Sequence, residues 1–90
     1  MKRMHIFVKG IVQGVNFRYN TRKKAGEYGL TGFTKNITDG RVEIVCEGAE
    51  ADIRALVEWC RQGPQGAYVE NVETKWEEYT GEFNDFTIRY

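Results

Sequence analysis

Ninety residues at 41% hydrophobic and 29% charged suffice for one globular domain built on a single two-layer core. No run approaches the roughly 18 apolar residues of a membrane span, and the N-terminus lacks the apolar core of a signal peptide, so the expectation is a cytoplasmic protein with no membrane partner. The 13 basic and 13 acidic residues cancel, which argues against nucleic acid as a ligand; yet residues 1–45 hold nine Lys/Arg against three Asp/Glu, an excess that would draw a small anion to that half.

Taken in order, Met4, Ile6 and Val8 alternate with His5, Phe7 and Lys9, which predicts a half-buried first strand over about residues 3–12. A loop over 13–18 leads into a helix over about 19–29, on which Phe17, Thr21, Ala25 and Tyr28 recur at helical spacing and Gly29 supplies the stop. Thr31 to Ile37 reads as a second strand, and Thr38-Asp39-Gly40 as the hairpin turn after it. In the third strand, Arg41 to Glu47, the alternation sends Val42, Ile44 and Cys46 inward and Arg41, Glu43 and Glu47 outward; Val45 alone is off pattern. Ile53, Leu56, Val57 and Cys60 form the stripe of a second helix over about 50–61. A Gly63-Pro64-Gln65-Gly66 turn precedes a fourth strand over about 68–79, where Val72, Thr74 and Trp76 share parity. Polar loop Gly81 to Asp85 and a short terminal strand, Phe86 to Tyr90, finish the chain.

Each helix carries one apolar stripe, so both should cover the same face of one antiparallel sheet. The expected fold is α+β: a single ferredoxin-like β-α-β-β-α-β domain over residues 1–90, with a short extra C-terminal strand. This topology hosts many unrelated functions, so the chemistry must be read from a site. Cys46 and Cys60 lack metal-ligand spacing and fall on inward positions, where they read as small buried hydrophobes; no metal site is expected.

The stretch with chemical content is Gly10-Ile11-Val12-Gln13-Gly14-Val15-Asn16-Phe17-Arg18. A short strand-to-helix loop aims several backbone N–H groups at one point, and the helix N-terminus adds about half a positive charge there. Arg18 supplies a planar fork of donors that suits a phosphate. The predicted object is an oxyanion cradle made by the amides of Gln13, Gly14, Val15, Asn16, Phe17 and Arg18 together with the Arg18 guanidinium. His5, Tyr19 and Tyr28 read as structural, and Lys9 and Lys35 as solvated strand charges.

Val8 to Arg18 closely resembles the first signature of the acylphosphatases. Gly32-Phe33-Thr34-Lys35-Asn36, followed by Gly40, Val42 and Gly48, resembles the second, and the tail from Gly63-Pro64 to Ile88-Arg89-Tyr90 has the family's look. The resemblance implies hydrolysis of a small-molecule acyl phosphate by a monomer, with no metal or cofactor and with inorganic phosphate or sulfate as a competing ligand. It also implies that Arg18 and the loop hold the phosphoryl group while Asn36 positions the attacking water. A catalytically silent anion-binding or regulatory domain shares both signatures and is the alternative. An RNA-binding module of the same topology stacks bases on strand aromatics, and Arg41 to Glu47 contains none. Two positions depart from the family pattern. Asn16 stands where glycine is most frequent, though Asn accepts a left-handed backbone. Thr34 stands where Ala, Val or Cys is usual.

Overall fold

A computed structural model describes residues 1–90. Seven elements follow one another: β1 (Lys2–Ile11), α1 (Phe17–Glu27), β2 (Thr31–Asn36), β3 (Val42–Gly48), α2 (Glu50–Gln62), β4 (Tyr68–Glu77) and β5 (Phe86–Arg89). The strands form one sheet in the order β4-β1-β3-β2-β5. β3 lies between β1 and β2 and is antiparallel to both, so β1 and β2 run the same way; the helical crossings follow β1 (α1) and β3 (α2), while β2 turns directly back into β3. The ferredoxin-like arrangement is thus present. β5 adds to it in parallel with β2, and the sheet is mixed rather than wholly antiparallel.

The period-2 pattern of the strands decides the layers. Met4, Ile6 and Val8 of β1 and Val42, Ile44 and Cys46 of β3 are all buried on one face. Phe17, Thr21 and Ala25 of α1 and Ile53, Leu56, Val57 and Cys60 of α2 pack onto that face. Leu56 has no exposed surface, and truncating such a side chain to alanine typically costs about 2–5 kcal/mol. α1 stops where Gly29 was expected to stop it. Gly29 takes φ 68°, its N–H donates to the Gly26 carbonyl, and the Leu30 N–H reaches back to Ala25 (2.9 Å). That pair of bonds closes the helix as a Schellman motif, sealed by buried Leu30.

Several expectations are corrected. α1 starts at Phe17, two residues early, which places Phe17 and Arg18 in its first turn and shortens the loop to residues 12–16. Phe17 is 1% exposed and opens the buried stripe, so the core draws it into the helix. Glu47 and Val45 project from the outer face of β3, yet both are buried. The chain after β4 folds back over that face: the Thr80 and Gly81 N–H groups donate to the Glu47 carboxylate (2.9 and 3.1 Å), and Phe83 packs on Phe33. Of the parity set on β4, Val72 alone is buried. Trp76 stays 39% exposed on this edge strand, with Lys2 and Arg54 over its ring. Cys46 and Cys60 are buried free thiols, and burial pushes the Cys46 thiol up to about 12. No helix is long and apolar enough to cross a membrane.

Candidate active site

Strand direction assembles the site. β1, β2 and β5 run the same way, so their C-terminal ends meet at one end of the sheet. The end of β1 delivers the 12–16 loop and the start of α1. The end of β2 delivers Asn36, on the helix-facing parity two residues after buried Thr34. The end of β5 delivers Ile88 and Tyr90. Between them lies a cavity of about 400 Å³ lined by Val12, Gly14, Asn16, Phe17, Arg18, Tyr19, Arg22, Asn36, Ile88 and Tyr90.

The loop owes its shape to two left-handed residues, Gly14 (φ 76°) and Asn16 (φ 61°, ψ 27°). Asn16 thus needs only the ordinary left-handed region that asparagine tolerates, not the region reserved for glycine. Its carbonyl receives both the backbone N–H and the side-chain amide of Asn20 (3.1 and 2.9 Å). None of the backbone hydrogen bonds outside the helices and strands starts from the N–H of Gln13, Gly14, Val15 or Asn16. The N–H groups of Phe17, Arg18 and Tyr19 open a helix, where no preceding turn can accept them. A run of consecutive donors is therefore left without a backbone acceptor, beside the positive end of the α1 dipole.

Arg18, partly buried, donates to the Arg89 carbonyl (3.2 Å) and lies over the Tyr90 ring at 4.8 Å. The side-chain oxygen of Asn36 is buried with no hydrogen-bond partner, against the strong tendency of buried polar atoms to be paired. Of the residues expected in the cradle, Gly14, Asn16, Phe17 and Arg18 line the cavity. The Gln13 and Val15 side chains turn elsewhere. Val15 packs against the core, and the Gln13 amide donates to the Ile37 and Arg41 carbonyls (2.9 and 3.0 Å), which flank the β2–β3 turn. What those two can offer the cavity is backbone N–H.

Sequence reasoning missed Val12, Tyr19, Arg22, Ile88 and Tyr90 as lining residues. The Arg22 position could have been found, because it follows Arg18 by four residues in a helix. Tyr19, expected to pack, is 54% exposed. The contribution of Ile88 and Tyr90 depends on the direction of β5, which no local pattern encodes. Nowhere do three or more His, Cys, Asp or Glu side chains gather as metal ligands would.

The family model for acylphosphatase matches residues 4–88. The chain belongs to the acylphosphatase family. It is 52% identical to the acylphosphatase of Syntrophus aciditrophicus strain SB, over 100% of this chain and 94% of that protein. The crystal structure of acylphosphatase from Bacillus subtilis superposes with a TM-score of 0.96 at 36% identity and covers both chains completely. Full-length HypF, in its phosphate- and nucleotide-bound form, matches 99% of this chain with 12% of its own length, at 31% identity and a TM-score of 0.91. Acylphosphatases are matched over nearly their whole length, and the chain is an enzyme of this family.

Proposed function

We propose that the enzyme hydrolyses the carboxyl–phosphate bond of small acyl phosphates to a carboxylate and inorganic phosphate, as a cytoplasmic monomer and without a metal. The observation that carries this reading is the meeting of Arg18, Asn36 and the unpaired loop amides on one cavity. In-line transfer asks little covalent work of a protein. It needs the charge on the equatorial phosphoryl oxygens stabilised and the nucleophile held opposite the leaving group. The amides of residues 13–18 and the Arg18 fork take the phosphoryl oxygens, with Arg18 exchanging its single bond to Arg89 for two to the substrate. The Asn36 amide accepts a hydrogen bond from the attacking water through its otherwise unpaired oxygen. The water oxygen bonds to phosphorus as the bond from phosphorus to the acyl oxygen breaks. A carboxylate leaves, needing no general acid, and the water proton passes to a phosphate oxygen.

The test is turnover of benzoyl phosphate followed by ultraviolet absorbance in excess EDTA, with inorganic phosphate added as a competitor. Hydrolysis unaffected by EDTA and inhibited competitively by phosphate is expected. Activity that EDTA abolishes and Mg²⁺ restores overturns the metal-free account. The second reading, a silent anion-binding or regulatory domain, is favoured by the match to a small part of HypF. Phosphate binding without turnover selects it.

A further inference from the structure

About 400 Å³ is more room than a phosphoryl group fills, and the charged side chains of its lining, Arg18 and Arg22, are both basic. Arg22 lies one helical turn after Arg18 on the same face of α1 and also lines the cavity. None of the ten lining residues is Asp or Glu. Four of the five arginines outside the cavity are neutralised: Arg3 by Glu82 at 2.7 Å, Arg41 by Asp39 at 2.8 Å, Arg54 by Glu50 at 2.9 Å and Arg61 by Glu58 at 3.4 Å; the fifth, Arg89, lies over the Phe33 ring at 3.9 Å. Arg22 takes part in no ion pair and no hydrogen bond; its guanidinium lies 5.8 Å from the centre of the Tyr19 ring. Like charges one turn apart weaken a helix slightly, so helix stability does not account for the pair.

We propose that Arg22 is a specificity-determining residue, binding a second anionic group on the acyl half of the substrate while Arg18 holds the phosphoryl group. The favoured substrates are then acyl phosphates whose acyl chain ends in a carboxylate or a phosphate, because both match the guanidinium fork. The inference rests on reading the Arg18 end of the cavity as the phosphoryl site.

The experiment compares kcat/KM for acetyl phosphate, succinyl phosphate and phosphoglyceroyl phosphate in the wild type, Arg22→Gln and Lys23→Gln. Lys23 is exposed on the same helix, does not line the cavity, and removes the same charge when replaced. The wild type should prefer one or both of the doubly anionic substrates to acetyl phosphate, and which one identifies the anion. Arg22→Gln should lower that preference about tenfold, mainly through KM, while Lys23→Gln keeps it. No preference in the wild type, an unchanged preference in Arg22→Gln, or an equal loss in Lys23→Gln overturns the assignment. Failure to hydrolyse any of the three would instead defeat the underlying phosphoryl-site reading.

Discussion

Where β1 begins, the Glu47 carboxylate accepts from the Thr80 N–H, the Thr80 hydroxyl, the Gly81 N–H and Arg3; Arg3 in turn also binds Glu77 and Glu82. Where β1 ends, a run of loop amides meets no backbone acceptor and the Asn36 side-chain oxygen is buried without a partner. The two ends of one sheet therefore spend their polar groups differently. Four-fold satisfaction of a buried carboxylate fixes the returning tail against the outer face. Unpaired donors and acceptors around a cavity leave binding capacity for something outside the chain. Damage at the first end should appear as lost stability, and damage at the second as lost turnover.

The largest separation is expected from Arg18→Lys. A point charge cannot reproduce the planar fork, so kcat/KM for benzoyl phosphate should fall roughly 10²–10³-fold. Urea unfolding should hardly move, because Arg18 makes a single hydrogen bond within the protein. Near-normal turnover would erase the contrast between the two ends.

Asn36→Ala should lower kcat about a hundredfold with little change in KM, since a misplaced water is felt mainly in the transition state. A pure KM effect would make Asn36 a binding residue instead.

At the opposite end, Glu47→Gln should cost about 2–3 kcal/mol in urea unfolding and leave kcat intact, because Thr80, Gly81 and Arg3 lose a charged acceptor in a buried place. The same network sets an acid limit. Burial alone would raise the Glu47 carboxyl, but the Thr80 N–H and hydroxyl, Arg3 and the Gly81 N–H hold it below its ordinary value of 4.5. Burial opposes Glu77 in the same way, and Arg3 and His5 outweigh it; Glu82 is lowered by Arg3 and Thr80. The folded state then binds fewer protons than the unfolded one. Stability from these groups is complete above pH 4.5 and is lost as pH falls through the lowered values. Glu47→Gln should flatten that acid limb. A limb equally steep in the variant would place the sensitivity elsewhere.

The smallest effect should come from Thr34→Val. The Thr34 hydroxyl is buried on β2 and has no partner, so removing it should be neutral or stabilising by roughly 0.5–1 kcal/mol in the same unfolding assay. Destabilisation would mean the hydroxyl is paired after all.

How much of this was legible beforehand follows the range of the interactions. Local pattern sufficed for the inward faces of β1 and β3, for the helix stop at Gly29 and for the Asp39-Gly40 turn, because each depends on a few consecutive residues. The carboxylate of Glu47 reads as an outward charge from alternation alone. Its burial depends on Thr80 and Gly81, more than thirty residues later in the chain. Arg18 and Asn36 were found through residue chemistry and family resemblance, and the parallel course of β1 and β2 places both on one cavity. Apart from its spacing from Arg18, nothing in the sequence singles out Arg22, because a basic residue on a helix usually faces water; only the cavity distinguishes it from Lys23.

The two hydrogen bonds from Gln13 have a dynamic consequence. One side chain clips the 12–16 loop to the carbonyls on both sides of the neighbouring hairpin tip, next to Asn36. The segments should therefore move as one unit, so backbone amide relaxation dispersion at residues 14–16 and 38–41 should share a single exchange rate. Cutting the clip with Gln13→Ala would let the two halves breathe out of step, spoiling their alignment without removing any group proposed to hold the phosphoryl oxygens.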